Sequence, residues 1–350
     1  MSEARFVVLR LSSLGDIVHT FPAVAALRET FPTANIVWLT HPRWKLLVES
    51  SGLASEVWLI ETRAFASLRS AIRGLRQSKW DAAIDYQGLW KSAALPFFGG
   101  LRRRIGFSSH TIREFGVPIL YTDSVRAVTT HIADQNGELS RRAGAQTLAA
   151  KFTLRVSAAE EEAVCLQLRS QAIDRYVVLS PGGGWRSKCW PAERFGQLCQ
   201  RIRKSFGLRC VVNYGPGEQN LALAVRRASG VAEPHLYNGD LGPLMALLRG
   251  AKCIVGADTG PLHLAIALGT PAVALFGPTD PARNGPYHVA ITADAAPRSG
   301  ADAMQGEDIV LRVANPVTTH SRNDQTDPSM LAIDVDAVFD AVCRRIGARP

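Results

Sequence analysis

From Phe6 onward, short runs of β-branched and other apolar residues alternate with longer stretches whose apolar positions recur at helical spacing. The runs from Phe6 to Leu11, Asn35 to Leu39, Val57 to Ile60 and Asp81 to Asp85 read as strands, with helices between them. Such βαβ alternation predicts a parallel sheet covered on both faces. The pattern loosens after His131 and passes through a helical segment rich in Arg and Ala. Positions 156–174 are then expected to hold a bridging strand and helix, where the domain boundary belongs.

A second series begins at Tyr176 to Ser180 and continues with Arg209 to Asn213, Lys252 to Ala257 and Ala272 to Phe276. Its helices are expected to open near Pro191, Gly217, Pro243 and Gly260. Residues 280–330 are rich in Pro, Asn, Asp and Thr with little periodicity, which predicts a long surface loop, partly mobile. Helical spacing returns from Val335 to Ile346. The fold class expected is α/β, with two Rossmann-like doubly wound domains over 1–157 and 175–330. A terminal helix within 331–350 is expected to pack back on the first domain. A chain of 350 residues has room for two such cores.

In open α/β sheets, ligands bind beyond the carboxyl ends of strands, so the strand-to-helix turns are where chemistry is sought. The first turn of interest is Leu11-Ser12-Ser13-Leu14-Gly15-Asp16, where a carboxylate opens a helix. Asp16 fits a helix cap, because a carboxylate there accepts backbone N–H bonds and suits the dipole. It also fits a general base that takes a proton from an attacking hydroxyl, with Gly15 allowing close approach.

The second turn is Ser180-Pro181-Gly182-Gly183-Gly184-Trp185-Arg186-Ser187-Lys188. Glycines such as Gly183 and Gly184 expose backbone N–H groups to phosphate, and Lys188 adds a mobile charge; a flexible loop with a solvated lysine is the plain alternative. The order of an NTPase P-loop fails, since Ser187 precedes Lys188 and Cys189 follows it. In the third turn, Asp258-Thr259-Gly260-Pro261, proline starts a helix whose unpaired N–H groups can hold a diphosphate. His263, in the first turn of that helix, fits a contact with the same anion or with the sugar, and fits a structural histidine as well. Asp258 would repel phosphate, so it suits sugar hydroxyls or a cap better. Glu218, after another strand, can accept from ribose hydroxyls. No GxGxxG sequence exists in either half, which sets nicotinamide and flavin chemistry aside.

The formal charge of +9 admits an acidic partner such as phosphorylated small molecules or an anionic membrane face. Nucleic acid is not expected, because the basic residues are dispersed apart from Arg102, Arg103 and Arg104. Six cysteines without a CxxC argue against a disulfide framework and a zinc site. With no signal sequence at Met1 and no transmembrane run of about 18 apolar residues, a cytoplasmic location is expected.

In order along the chain, SLGDIVHTFPA, IDYQGLWKSA, SPGGGWRSKCWPAERF and ADTGPLHLAIALGTPAVALFGPTDP resemble the ADP-heptose:lipopolysaccharide heptosyltransferases, glycosyltransferase family 9. The resemblance implies a GT-B fold with the acceptor held by the first domain and a nucleotide sugar by the second. It implies Asp16 as catalytic base and a donor site of Lys188, Gly183, Gly184, Glu218, Asp258, Thr259, Gly260 and His263. Ser13, Gly15, Gln87, Gly88 and Lys91 fall on the acceptor side, where Arg43, Lys45 and Arg102 to Arg104 are further basic candidates. The implied reaction is an inverting, metal-independent and cofactor-free transfer of heptose from ADP-heptose to a hydroxyl of a lipopolysaccharide inner-core acceptor at the membrane surface. Another nucleotide sugar, a protein acceptor and a catalytically silent nucleotide-sugar-binding module stay open as alternatives.

Overall fold

The structure, a computed structural model, describes residues 3–112, 114–288, 308–313, 318 and 325–346. It divides into two compact units, residues 1–155 and 156–350.

The first unit is built on β1 (Arg5–Leu9), β2 (Asn35–Thr40), β3 (Glu56–Leu59), β4 (Ala82–Asp85), β5 (Arg104–Phe107) and β6 (Asp123–Val125). All neighbours are parallel, in the order β3-β2-β1-β4-β5-β6. The central strands are buried along their length, as a sheet covered on both faces requires. Val7, Leu9, Val37, Leu39 and Ala83 form a core on one face with Ala71, Leu75 and Leu95 from the covering helices.

The second unit repeats the plan with β7 (Tyr176–Ser180), β8 (Arg209–Asn213), β9 (His235–Tyr237), β10 (Cys253–Ala257), β11 (Ala272–Leu275) and β12 (Ile309–Leu311). Its order is β12-β11-β10-β7-β8-β9, again wholly parallel. In both sheets the winding reverses between the first and fourth strands, β1 and β4 or β7 and β10. The carboxyl ends of those strands therefore open the crevice in which doubly wound sheets bind ligands.

Several expectations are corrected. Positions 156–174 contain a helix, Ala158–Ser170, and no strand. The helix expected near Pro243 does open there, at Leu241 with Asp240 at its N-cap, so that Pro243 lies inside the first turn, where its missing N–H costs nothing. The stretch 280–330 is not wholly a loop: it contains the short helices Pro281–Asn284 and Pro328–Leu331 and the edge strand β12, while its remaining residues largely lie outside the described ones.

The terminal helix Val335–Ile346 packs within the second unit. Its apolar stripe, Val338, Ala341 and Val342, joins Trp190, Phe195, Met330 and Ile333 in the core of the second unit. The Trp190 indole donates to the Ile333 carbonyl at 2.9 Å, tying the approach to this helix to the turn after β7. Burying that stripe satisfies the local sheet face, which would otherwise expose β10 and β11.

Candidate active site

In the first unit, Ser13 is the N-cap of the helix Leu14–Val18, and Asp16 is its third residue rather than its cap. The two form a capping box in which Asp16 Oδ2 accepts from the Ser13 hydroxyl at 2.7 Å and from the Ser13 N–H at 3.1 Å. Asp16 Oδ1 lies 2.6 Å from the Arg10 guanidinium. The Arg10 side chain is buried, while that of Asp16 is 44% exposed, so a buried cation holds an accessible carboxylate in place. Arg10 also donates to the Tyr86 carbonyl, which ties the end of β1 to the residue that follows β4.

A second tie crosses the same crevice. Gln87 Oε1 accepts from the backbone N–H groups of Leu11 at 2.9 Å and Ser12 at 3.1 Å. The turn that carries Gln87 is set in turn by buried Asp85. That carboxylate accepts from the N–H groups of Gln87 and Gly88 and from the hydroxyls of Ser92 and Tyr121. Burial pushes the Asp85 carboxyl above its ordinary range, partly offset by those four hydrogen bonds. Gly88 has φ +67, the left-handed region that favours glycine. Lys91 stands exposed in the first turn of the following helix, Trp90–Phe98. Gln87 is thus a structural bridge between the two turns, whereas Gly15 and Gly88 shape them.

In the second unit the turns after β7 and β10 converge. Lys188 Nζ lies 2.6 Å from Asp258 Oδ2 and 3.4 Å from the Asp258 carbonyl oxygen, with both side chains almost completely buried. The ammonium also sits 4.0 Å from the centre of the Trp185 ring, a cation–π contact. Asp258 Oδ1 is 2.9 Å from His263 Nε2. Burial on its own would raise the Asp258 carboxyl, but the hydrogen bond and charge of His263, together with Lys188, outweigh it and hold the group well below the usual carboxylate range.

Both Asp258 oxygens are therefore engaged by protein cations and donors. The carboxylate holds Lys188 and His263 in place, a role that neither the expected sugar contact nor a helix cap describes. Thr259 is the N-cap of the helix Gly260–Ala267, but its hydroxyl is buried without a hydrogen-bond partner and does not cap. The first N–H groups of that helix remain uncapped beside the Lys188 ammonium, the arrangement that favours an anion.

Glu218 approaches the same turn from β8. It is the N-cap residue of the helix Gln219–Ala228, and its Oε2 accepts from the Gly215 N–H at 2.8 Å. A Cβ at Gly182 would overlap the Glu218 carboxylate, so glycine is needed there for close approach. A Cβ at Gly183 would meet Cys189, Trp185 and Lys188, whereas one at Gly184 would face open space.

The structure brings Lys188, Asp258, Thr259, Gly260 and His263 into one cluster with Gly183, and places Glu218 against its flank. Among the described residues, no group of three or more His, Cys, Asp or Glu side chains is arranged to hold a metal ion. The six cysteines are free thiols.

Two contributors, Arg10 and Trp185, stand outside the sequence expectations. Arg10 carried a signal, as the one charge inside the apolar run from Phe6 to Leu11. Trp185 carried none beyond its place in a glycine-rich turn.

A profile of glycosyltransferase family 9 (heptosyltransferase) matches residues 68–309, well over half of the chain. The chain belongs to this family. It is similar to lipopolysaccharide heptosyltransferase 1 of Escherichia coli K12, 29% identical over 334 residues that cover 89% of this chain and 99% of that protein. Its counterpart in Escherichia coli RS218 is 31% identical over 306 residues, 81% of this chain and 89% of the other. Among solved structures, the glycosyl transferase family 9 from Veillonella parvula superposes with a TM-score of 0.80 at 21% identity, over 99% of this chain and 98% of that one. Escherichia coli ADP-heptose lps heptosyltransferase II gives 0.79 at 20% identity, over 98% of both chains. This family-9 chain is a glycosyltransferase, and the two sheets are the Rossmann-like halves of a GT-B fold.

Proposed function

We propose that the chain transfers a heptose from ADP-heptose to a hydroxyl of a lipopolysaccharide inner-core acceptor in the cytoplasm, inverting the sugar C1 without a metal cofactor. The observation that carries this reading is the buried Lys188–Asp258–His263 cluster beside the helix start at Gly260, at the switch point of the second sheet. The Lys188 ammonium and the uncapped N–H groups of the helix start offer fixed donors to a diphosphate, and fixed dipoles need no reorganisation as charge develops. The relatives named for lipopolysaccharide support the acceptor class, and the structural neighbour named for ADP-heptose supports the donor.

In the step proposed, the acceptor oxygen attacks C1 of the heptose and its proton passes to Asp16. The bond from C1 to the β-phosphate oxygen breaks, and the departing electron pair leaves on ADP. Lys188 and the N–H groups after Thr259 take up the charge that develops there. Glu218 accepts from the ribose hydroxyls, and Ser13, Gly15, Gln87, Gly88 and Lys91 belong to the acceptor side. Arg10 and Ser13 hold Asp16 so that the base is aimed rather than mobile, which is worth rate when the reacting atoms must be aligned.

Thermal unfolding tests the donor. A ligand bound only by the native state stabilises by about 2.7 kcal/mol at a hundred times its Kd, so ADP-heptose should raise Tm by several degrees. UDP-sugars at the same concentration should leave it unmoved, and equal stabilisation by both would overturn the donor assignment. The anomeric configuration of the product, read by NMR, tests inversion: a retained configuration would remove Asp16 from its role as base.

A further inference from the structure

Among the described residues, most exposed large apolar side chains are scattered over the surface, but five gather in the first unit on the helix Trp90–Phe98 and on the segment that runs from Phe115 into the short 3-10 turn Val117–Leu120 packed beside it. They are Trp90, Phe97, Phe98, Phe115 and Ile119, the last two exposed by 96% and 79%. The grouping is structural and not only sequential. Trp90 donates its N–H to Glu114 at 2.8 Å and lies against Gly116, while Ala93, Val117 and Tyr121 form a small core beneath. Folding therefore holds Phe115 and Ile119 outward on a fixed base.

Cations surround this apolar face. The Arg104 guanidinium lies 5.4 Å from the centre of the Phe97 ring and donates to the Leu120 carbonyl at 2.7 Å. Arg76 donates to the Phe98 carbonyl at 3.0 Å, and Lys91 and Arg102 stand exposed at the two ends of the segment. The carboxylate placed in the patch is Glu114, which the Trp90 N–H occupies. Exposed aromatic and aliphatic side chains rimmed by Arg and Lys match an anionic lipid interface, where apolar groups enter the acyl boundary and cations meet headgroups.

We propose that this face of the first unit, centred on Phe115 and Ile119, docks the enzyme on an anionic phospholipid surface. The face begins at Trp90, two residues after Gly88, so docking sets the acceptor-side turn of the crevice next to the bilayer. A lipid surface fits better than a second copy of the chain, because self-association would bring the same cations together. The site stands on exposure and charge, and only its biological use rests on the acceptor reading above.

Sedimentation with vesicles of phosphatidylethanolamine containing about a third phosphatidylglycerol tests it, with vesicles of phosphatidylcholine as the neutral control. Because no glycolipid is present, the outcome is independent of the acceptor. The parent should bind the anionic vesicles, bind the neutral ones at least tenfold more weakly, and be released by high salt. Phe115→Ser with Ile119→Ser should lower binding by roughly tenfold or more, with Tm and ADP affinity unchanged. Arg76→Glu with Arg102→Glu should abolish the preference for anionic lipid, and supplies a second test if the apolar pair impairs folding. Failure of the parent to bind, equal binding to both vesicle types, or full binding by both double variants would overturn the proposal. So would a dimer in the parent that Phe115→Ser with Ile119→Ser converts to monomer, since the face would then serve self-association.

Discussion

Lys188→Met removes one charge and keeps the length of the side chain, which makes it the sharpest probe of the second-unit cluster. The ammonium is 2.6 Å from Asp258 Oδ2, and the two side chains are 9% and 8% exposed. Breaking a buried ion pair from one side costs about 3–5 kcal/mol, because the other charge is left in a poor solvent. Here His263 stays on Oδ1 at 2.9 Å, and a methionine keeps contact with the Trp185 ring, so about 3 kcal/mol is expected. ADP should lose one charge-assisted hydrogen bond, about 1.5–3 kcal/mol, or roughly ten- to a hundredfold in Kd. Urea unfolding gives the first quantity, and calorimetric titration with ADP the second, on protein that keeps the parent circular dichroism. The double variant Lys188→Met, Asp258→Asn should be less destabilised than the sum of the singles, by about 1 kcal/mol or more, because the two groups share one interaction. An ADP affinity within twofold of the parent, with the fold intact, would refute the assignment of Lys188 to the leaving group.

Three further outcomes follow from the same geometry. Asp16→Asn should lower kcat by roughly 10²–10⁴ while leaving ADP affinity within twofold, and a kcat close to the parent's would remove Asp16 as base. Gly182→Ala forces Glu218 aside and should raise the donor KM by roughly fivefold, the equivalent of about 1 kcal/mol; an unchanged KM means Glu218 makes no donor contact from that position. The Asp258 carboxyl is held below its unfolded value, so its contribution to stability is present above about pH 4 and is lost as pH falls toward the folded value. The stability gap between the parent and Asp258→Asn, measured in urea, should therefore shrink as pH falls below about 4, and a gap independent of pH would contradict the depressed value.

The strands that shape both crevices were legible because each is a continuous apolar run buried on both faces: Phe6 to Leu9 within β1, Tyr176 to Leu179 within β7 and Cys253 to Ala257 in β10. The strands without such a run are short, mostly outer ones. β6 and β9 have three residues each, and β6 keeps polar residues at two of them, so neither gives a periodic signal. β12 is isolated within a stretch of turn-forming residues, and its pairing with β11 is a long-range event that no local pattern encodes. The turns were legible for a different reason, since glycine, proline and a single charge after an apolar run mark where a strand hands over to a helix.

What the turns do with each other was not legible. Spacing cannot show that Asp258 is spent on Lys188 and His263, because these residues meet across 70 positions in one direction and 5 in the other. Nor can it show that Gln87 joins its turn to Leu11 and Ser12, or that Asp85 and Tyr121 support that turn from below. The terminal helix illustrates the same limit. Val338, Ala341 and Val342 announce an apolar stripe, but only the packed sheet of the second unit decides which surface it covers.

Heptosyl transfer is read by incubating the protein with ADP-heptose and a lipopolysaccharide inner-core acceptor that lacks heptose, and weighing the acceptor by mass spectrometry. The acceptor is expected to be heavier by one heptosyl unit, with one ADP released per sugar transferred and almost none when acceptor is omitted. An acceptor of unchanged mass, or ADP release at the same rate without it, would contradict heptosyl transfer by this chain.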